Sequence, residues 1–251
     1  MKKVLAILLV VLMLSGCAAP AAAPAAAPAS EPVADAAAAP VATEEPAADV
    51  AYEVTYQNAK VYKSSIGTVW VQSIVEITNT GTVPLFLSSG AFDLEDADGK
   101  LVATSSMVSA FPSVIDVGEK GYMYEEATLD EEPASALTIM PRPDVEKAKV
   151  DLVRFPVTDA ELKDGDYGVG LKLMGRVENT SAEAQSSVYV ACILYDAAGA
   201  PIGIMFNILM EELAPGDKVG FECNGMALPD DVTLDAVASH TVYAYPMQMQ
   251  F

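Results

Sequence analysis

The chain has 251 residues, and its 35 Asp and Glu outnumber its 14 Lys and Arg to give a formal net charge of -21. So acidic a chain repels phosphate groups, which excludes nucleic acid and anionic lipid headgroups as the main partners. The length permits one large domain or two domains of roughly 100 residues each.

A short apolar segment at the N-terminus follows two lysines. Lys2 and Lys3 precede residues 4–14, roughly ten apolar positions, which is the length of a signal-peptide core and is short of the ~20 residues that cross a bilayer. Residues 1–16 are therefore predicted to be a signal peptide that is removed.

The residues that end this segment, Leu14-Ser15-Gly16-Cys17, resemble the lipobox of bacterial lipoproteins. The resemblance implies cleavage between Gly16 and Cys17 and diacylation of the Cys17 thiol, and stable anchoring needs two acyl chains rather than one. Loss of the two lysines changes the net charge to -21 - 2 = -23. We therefore expect a lipid-anchored protein on the extracytoplasmic face of a bacterial cell membrane.

Residues 17–50 join this cysteine to the rest of the chain and consist mostly of Ala and Pro. An interior Pro removes a backbone donor and clashes with the preceding turn, which costs a helix about 3 kcal/mol. We predict a disordered linker that reaches on the order of 100 Å in the polyproline conformation.

An internal repeat divides the remaining residues. The stretch around Asn79 reads ITNTG and the stretch around Asn179 reads VENTS, an offset of 179 - 79 = 100. Two further glycine pairs recur at nearly the same offset: Gly99 with Gly199, and Gly118 with Gly216. We therefore predict two copies of one fold in series, residues 51–146 and 147–251. The boundary should fall within residues 141–150, where prolines interrupt the strand pattern, and each copy should fold alone.

Each copy reads as a series of short β-strands. Apolar residues alternate with polar ones along 69–77 and 167–177, which is the period of a half-buried strand. Turn signals recur about every ten residues, and the pattern predicts an all-β protein with two tandem Ig-like β-sandwiches. Residues 204–213 fit either a strand or a helical turn, and residues 247–251 predict a final strand.

A family resemblance rests on two motifs. The second copy carries Leu194-Tyr195-Asp196 after Cys192, and the first carries Phe92-x-Leu94, each followed by a glycine turn. This pattern resembles the FxLYD family of small β-sandwich domains of bacterial surface lipoproteins, over roughly two thirds of each copy. The resemblance implies an extracytoplasmic Ig-like fold and transfers no catalytic residue.

The residues that could carry chemistry favour no reaction. Carboxylates before Gly99 suggest a calcium loop, but Leu94 and Ser105 stand where that loop needs ligands. His240 is the only histidine, so a multi-histidine metal site is excluded, and no serine lies in a nucleophile elbow. We predict no metal, no cofactor and no enzymatic activity.

Two cysteines of the second copy are a possible disulfide. Cys192 and Cys223 share a phase with apolar neighbours, and an extracytoplasmic compartment permits oxidation. The first copy has no cysteine at the corresponding positions, so the fold manages without a bridge, and both alternatives stay open.

Contact surfaces are expected where the copies differ, in residues 103–113 and 204–212, both taken as loops. The second of these carries the possible contact residues Met205, Phe206 and Met210. Tyr122 and Tyr124 are expected to be solvated strand residues.

Two classes of function follow from this reading. The first is a non-catalytic binding or structural interaction module with an unknown protein or cell-wall partner. The alternative is an accessory lipoprotein that presents a carbohydrate or peptide to another surface protein. A presenter should have a concave, partly apolar pocket, whereas an interaction module should have a flat apolar patch or an open sheet edge.

Overall fold

A computed structural model describes residues 49–64 and 66–250. The signal peptide, the lipobox with Gly16 and Cys17, and most of the Ala/Pro linker lie outside the described residues. Within those ranges the structure contains no helix long and apolar enough to cross a membrane.

The described residues of the first repeat form nine β-strands. They are β1 (Tyr52–Lys63), β2 (Val69–Asn79), β3 (Leu85–Leu87), β4 (Gly90–Glu95), β5 (Leu101–Phe111), β6 (Val114–Ile115), β7 (Lys120–Leu129), β8 (Thr138–Arg142) and β9 (Val145–Lys147). Six of them form one antiparallel sheet in the order β1-β2-β7-β5-β4-β8. The sheet curls until an isolated bridge between Ala59 and Leu137 joins its two edges, and β6-β3-β9 form a second, smaller sheet.

The second repeat contains six strands in two three-stranded sheets. They are β10 (Val157–Asp164), β11 (Leu171–Glu178), β12 (Val188–Tyr195), β13 (Pro201–Leu209), β14 (Lys218–Asn224) and β15 (Ser239–Pro246). The sheets have the orders β10-β11-β14 and β13-β12-β15, and short 3₁₀ turns lie at Asp166–Gly168 and Leu234–Ala236.

Both repeats share one strand order. The run β1-β2-β7 of the first corresponds to β10-β11-β14 of the second, and β5-β4-β8 corresponds to β13-β12-β15. The difference lies in β5, whose last residues also pair with β7 and so merge the two halves of the first repeat. The predicted all-β sandwich fold is confirmed.

Alternation along the strands builds a separate core in each repeat. In the first, Val71, Val75 and Ile77 of β2 pack against Phe92 and Leu94 of β4. In the second, Val190, Cys192 and Leu194 of β12 pack against Leu173 of β11 and Phe221 of β14. Apolar residues at every second position are what place one face of each strand in its core.

The repeated asparagines make the same hydrogen bonds in both copies. The Asn79 side chain donates to the carbonyls of Val83 (2.9 Å) and Ile115 (3.1 Å), and its Oδ1 accepts from Gly81 N (3.0 Å). The Asn179 side chain donates to Glu183 O and Leu213 O, both at 2.8 Å, and accepts from Ser181 N at 3.0 Å. Each amide therefore holds a loop that follows its strand.

The glycine turns are also equivalent. Gly99 and Gly199 have φ of 75° and 79°, in the left-handed region that glycine adopts without strain. The Asp96 and Asp196 side chains cap these turns by accepting from the backbone N–H groups two and four residues later. The predicted tight turns are confirmed.

The segment that joins the repeats begins within the predicted boundary range of residues 141–150. Residues 141–142 end β8 and residues 145–147 form β9, in which Lys147 pairs with Leu85 of the first repeat. Residues 148–156 have no regular structure, and Phe155 already packs in the second core. The prolines at 141 and 143 do not separate two domains, since Pro141 lies within β8 and pairs with Phe92.

Three local predictions are wrong. Residues 103–113 are mostly strand β5 and residues 204–209 belong to strand β13, so neither segment is a loop, and the strand alternative holds for 204–209. Residues 247–250 form no strand. Instead the side chains of Gln248 and Gln250 donate to the carbonyls of Asp151 and Lys147, because β15 has already ended at Pro246.

Candidate functional site between the repeats

A third apolar cluster, here called the seam, joins the two repeats. Its buried residues come from both: Ile74, Phe111, Tyr122 and Tyr124 from the first, and Ala191, Ile193 and Ile204 from the second. The outer faces of β2 and β7 thus pack on the outer faces of β12 and β13. Strands β2 and β12 are consequently buried on both faces.

Aromatic contacts and polar bonds hold this seam together. The hydroxyls of Tyr122 and Tyr195 lie 2.7 Å apart, with their rings edge to face at 6.4 Å. At the rim, Tyr62 OH donates to Ala227 O (2.6 Å) and Lys60 pairs with Asp231.

Two charged residues lie at this contact, Glu76 of the first repeat and Arg154 of the segment that joins the repeats. Glu76 is only 3% exposed, and its Oε1 accepts from Thr55 Oγ1 and pairs with Lys120 Nζ, both at 2.8 Å. The Arg154 guanidinium lies over the rings of Tyr243 (5.9 Å) and Tyr245 (5.6 Å), a cation–π geometry. Burial lowers the pKa of Arg154 from its ordinary value.

Beside the seam lies a cavity of about 430 Å³, here called the aromatic cleft. Phe111 forms its centre, with the Phe206 ring at 4.9 Å and the Tyr189 ring at 6.3 Å. Tyr189 in turn stacks on Tyr245 at 5.7 Å. The first repeat supplies one wall and the second repeat with residues 247–250 supplies the other.

The polar groups of the aromatic cleft are serines and glutamines, and no charged side chain of the described residues lines it. Two of its side-chain atoms are buried without a hydrogen-bond partner, Ser113 Oγ and Gln248 Oε1. Gln248 Nε2 donates to Asp151 O at 2.7 Å, which orients the amide. An unpaired buried polar atom costs about 1 to 3 kcal/mol.

The three predicted contact residues separate in the structure. Phe206 lines the aromatic cleft and is 41% exposed, and Met210 is 74% exposed outside it. Met205 is wrong as a contact residue, because it points to the other face of β13 and is buried in the second core at 1% exposure.

Cys192 and Cys223 are both free and buried in the core of the second repeat, on opposing strands β12 and β14. The structure therefore does not contain the possible disulfide. Cys223 Sγ instead donates to Val190 O at 3.7 Å. Burial raises the pKa of both thiols, that of Cys223 to about 12, and the nearby Glu222 carboxylate adds to the shift at Cys223.

Two of the carboxylates considered for calcium bind protein groups. Asp93 Oδ1 accepts from Arg142 and Thr104, and Asp96 caps its turn. Among the described residues, no group of three or more His, Cys, Asp or Glu is arranged to hold a metal ion. His240 lies exposed on β15.

The sequence did not reveal the seam. Tyr122 and Tyr124 were expected in solvent, but they are 1% and 4% exposed because the second repeat covers them. The signal was a second aromatic alternation: Tyr122 and Tyr124 on β7, Tyr189 and Tyr195 on β12, and Tyr243 and Tyr245 on β15. Aromatic residues on the face opposite a core indicate a second buried contact.

No protein-family model matches the chain, and no curated protein matches it significantly. The resemblance to the FxLYD family therefore stays a prediction.

Proposed function

We propose that the protein is a bacterial surface lipoprotein that acts by binding and catalyses no reaction. Its ligand lies in the aromatic cleft between the two repeats. The observation that supports this proposal is the cleft itself, a concave site of about 430 Å³ in which the rings of Phe206 and Tyr189 lie beside Phe111. Concave, mostly apolar sites with a few polar groups are typical of small-molecule binding.

The chemistry of the cleft favours an uncharged, partly apolar ligand. A charged group would be desolvated there without a counter-charge, since no charged side chain of the described residues lines the walls. Donor groups on the ligand would match Gln248 Oε1 and Ser113 Oγ. A sugar ring or an uncharged peptide side chain has this combination, which favours the ligand-presenting alternative over a flat interaction surface.

The residues that the repeats share support a non-catalytic role. Asn79 and Asn179 hold loops, and Asp96 and Asp196 cap turns. These positions build the scaffold, whereas the cleft uses residues that differ between the copies. The lipid anchor at Cys17 would place this site beyond the linker on the cell surface.

The proposal is tested with Nile red, an uncharged apolar dye that fluoresces when it leaves water. We expect saturable binding at one site, and Phe206→Ser should weaken it about tenfold by removing the ring that faces Phe111. Met210→Ser is the matched control, because Met210 is exposed on the same segment but does not line the cleft.

Absence of saturable binding, or equal binding by the two variants, would contradict the proposal. Circular dichroism of both variants should match the parent protein, because Phe206 and Met210 are exposed residues.

A further inference from the structure

We propose that a second cleft between the repeats binds an organic ammonium group. This cleft, here called the acidic cleft, has a volume of about 660 Å³ and is lined by Tyr62, Trp70, Asp164 and Asp230 among others. Its ligand class differs from that of the aromatic cleft, so the inference stands apart from the proposed function.

The aromatic part of the acidic cleft comes from one hairpin of the first repeat. Tyr62 and Trp70 are directly paired across β1 and β2, so their side chains lie side by side on one face. Tyr62 OH is fixed by its bond to Ala227 O at 2.6 Å. Indole and phenol rings attract cations through their negative faces, and Trp is the strongest of them.

The acidic part comes from the second repeat. Asp164 ends β10 and Asp230 lies in the loop after β14, and no Lys, Arg or His of the described residues lines the cleft. Two lysines on the strand that carries Tyr62 are paired with other carboxylates, Lys60 with Asp231 and Lys63 with Glu132. The pKa of Tyr62 is raised to about 12 by burial and by the charges of Glu126 and Asp230, in keeping with a negative potential at this place.

A metal ion fits this cleft poorly. Hard cations take six or more oxygen ligands, and the described part of the chain gathers no three acidic, histidine or cysteine side chains for a metal. Two carboxylates beside two aromatic rings suit an organic cation instead. We therefore infer a ligand with a quaternary or primary ammonium group, either a free small molecule or the lysine side chain of a polypeptide.

Trp70 makes the test direct, because it is the only tryptophan in the chain. The mature protein in a non-ionic detergent is titrated with choline while Trp70 emission is recorded. The control ligand is 3,3-dimethylbutan-1-ol, which has the shape of choline without its charge. We expect a saturable change with choline and binding of the neutral analogue at least tenfold weaker.

A second titration with Nα-acetyl-lysine amide distinguishes the sources of the ammonium group. Tighter binding of choline indicates a small-molecule ligand, and tighter binding of the lysine derivative indicates a polypeptide. Either result supports an ammonium site. No saturable change with both compounds, or equal binding of the neutral analogue, overturns the inference.

Two matched variants locate the site. Asp230→Asn should weaken binding about three- to tenfold, because one of the two carboxylates is lost. Asp98→Asn removes an exposed carboxylate from the β4–β5 turn, outside the cleft, and should leave binding unchanged. Equal effects of both variants would mean that only the overall charge of the protein matters, and that result also overturns the inference.

Discussion

Asn79 and Asn179 show how the sequence repeat becomes a structural repeat. Both side chains are almost fully buried, and each makes three hydrogen bonds to backbone groups of two separate segments of the chain. An amide has two donors and an acceptor, so it can pair with carbonyls and an N–H group at once. A shorter or apolar residue cannot replace this set of bonds.

Replacement of either asparagine by alanine should therefore destabilise the protein. Asn79→Ala and Asn179→Ala leave two carbonyls and one N–H group without a side-chain partner, and we expect each to lower the free energy of unfolding by about 2 to 4 kcal/mol. Urea unfolding measures the change. Asn224→Ala is the control, since exposed Asn224 donates only to Glu222, and it should cost less than about 0.5 kcal/mol.

The thiols of the second repeat provide another test at the level of single residues. Cys192 and Cys223 are free and buried, and burial raises the pKa of both thiols. Both therefore remain protonated, and only a thiolate reacts readily. We expect no reaction with a thiol reagent in the folded protein at mildly alkaline pH and two reactive thiols after unfolding without reductant. If no thiol appeared after unfolding, the two cysteines would be paired.

Individual strands were predictable where one face is buried and one is exposed. The alternation of Val188, Val190, Cys192 and Leu194 correctly placed that face of β12 in a core. The opposite face, with Ala191 and Ile193, packs in the seam. Alternation within one strand cannot tell whether its second face meets water or another sheet, so the aromatic cleft was missed although Phe206 was identified.

The strand β13 illustrates a second limit of structure prediction from the sequence. Residues 204–213 contain methionines at spacings that fit a helical turn, and both alternatives remained open from the sequence. Pairing decides the outcome, because Pro201–Leu209 extends along β12 with Met205 opposite Cys192. The conformation of a short apolar segment of this kind depends on the strand with which it pairs, and periodicity alone does not reveal that strand.

Buried tyrosines on these strands predict a loss of stability at alkaline pH. Burial is the largest cause of the raised pKa values of Tyr62 and Tyr243, both about 12, and of Tyr122, Tyr124 and Tyr245, which also shift upward. The unfolded state ionises near pH 10.0, so their contribution is complete below that pH and is lost as the pH rises towards the folded values.

Urea unfolding at increasing pH should therefore show a decline that begins near pH 10, and ultraviolet absorbance should show delayed tyrosine ionisation. Denatured protein is the control, in which all ten tyrosines should ionise together. Ionisation of all ten near pH 10 in the folded protein would mean that these side chains are accessible to water.

Attachment to the membrane is a property of the whole molecule. If Cys17 carries the lipid, Cys17→Ala should release the protein from membranes or leave it as an uncleaved precursor, because two acyl chains provide stable attachment. Membrane fractionation and gel mobility measure both effects. A variant that fractionates and migrates like the parent protein would show that the lipoprotein assignment is wrong.

The seam couples the unfolding of the two repeats. From the repeat alone, each copy should unfold by itself. In the structure, Tyr122 of the first repeat and Ala191 and Ile193 of the second are fully buried against each other's repeat. Separation would expose these side chains, at about 25 cal/mol for each Å² of apolar surface, so we expect the repeats to unfold together.

The chain supplies a separate reporter for each repeat. Trp70, the only tryptophan, lies in the first repeat, and the thiols of Cys192 and Cys223 lie in the second. The most direct measurement is therefore urea unfolding of the Cys17→Ala protein, followed at once by Trp70 emission and by thiol reactivity. Our account predicts one transition with the same midpoint for both signals, as in two-state unfolding. Two transitions with different midpoints would contradict it, because the repeats would then be independent domains without a shared, stabilising seam.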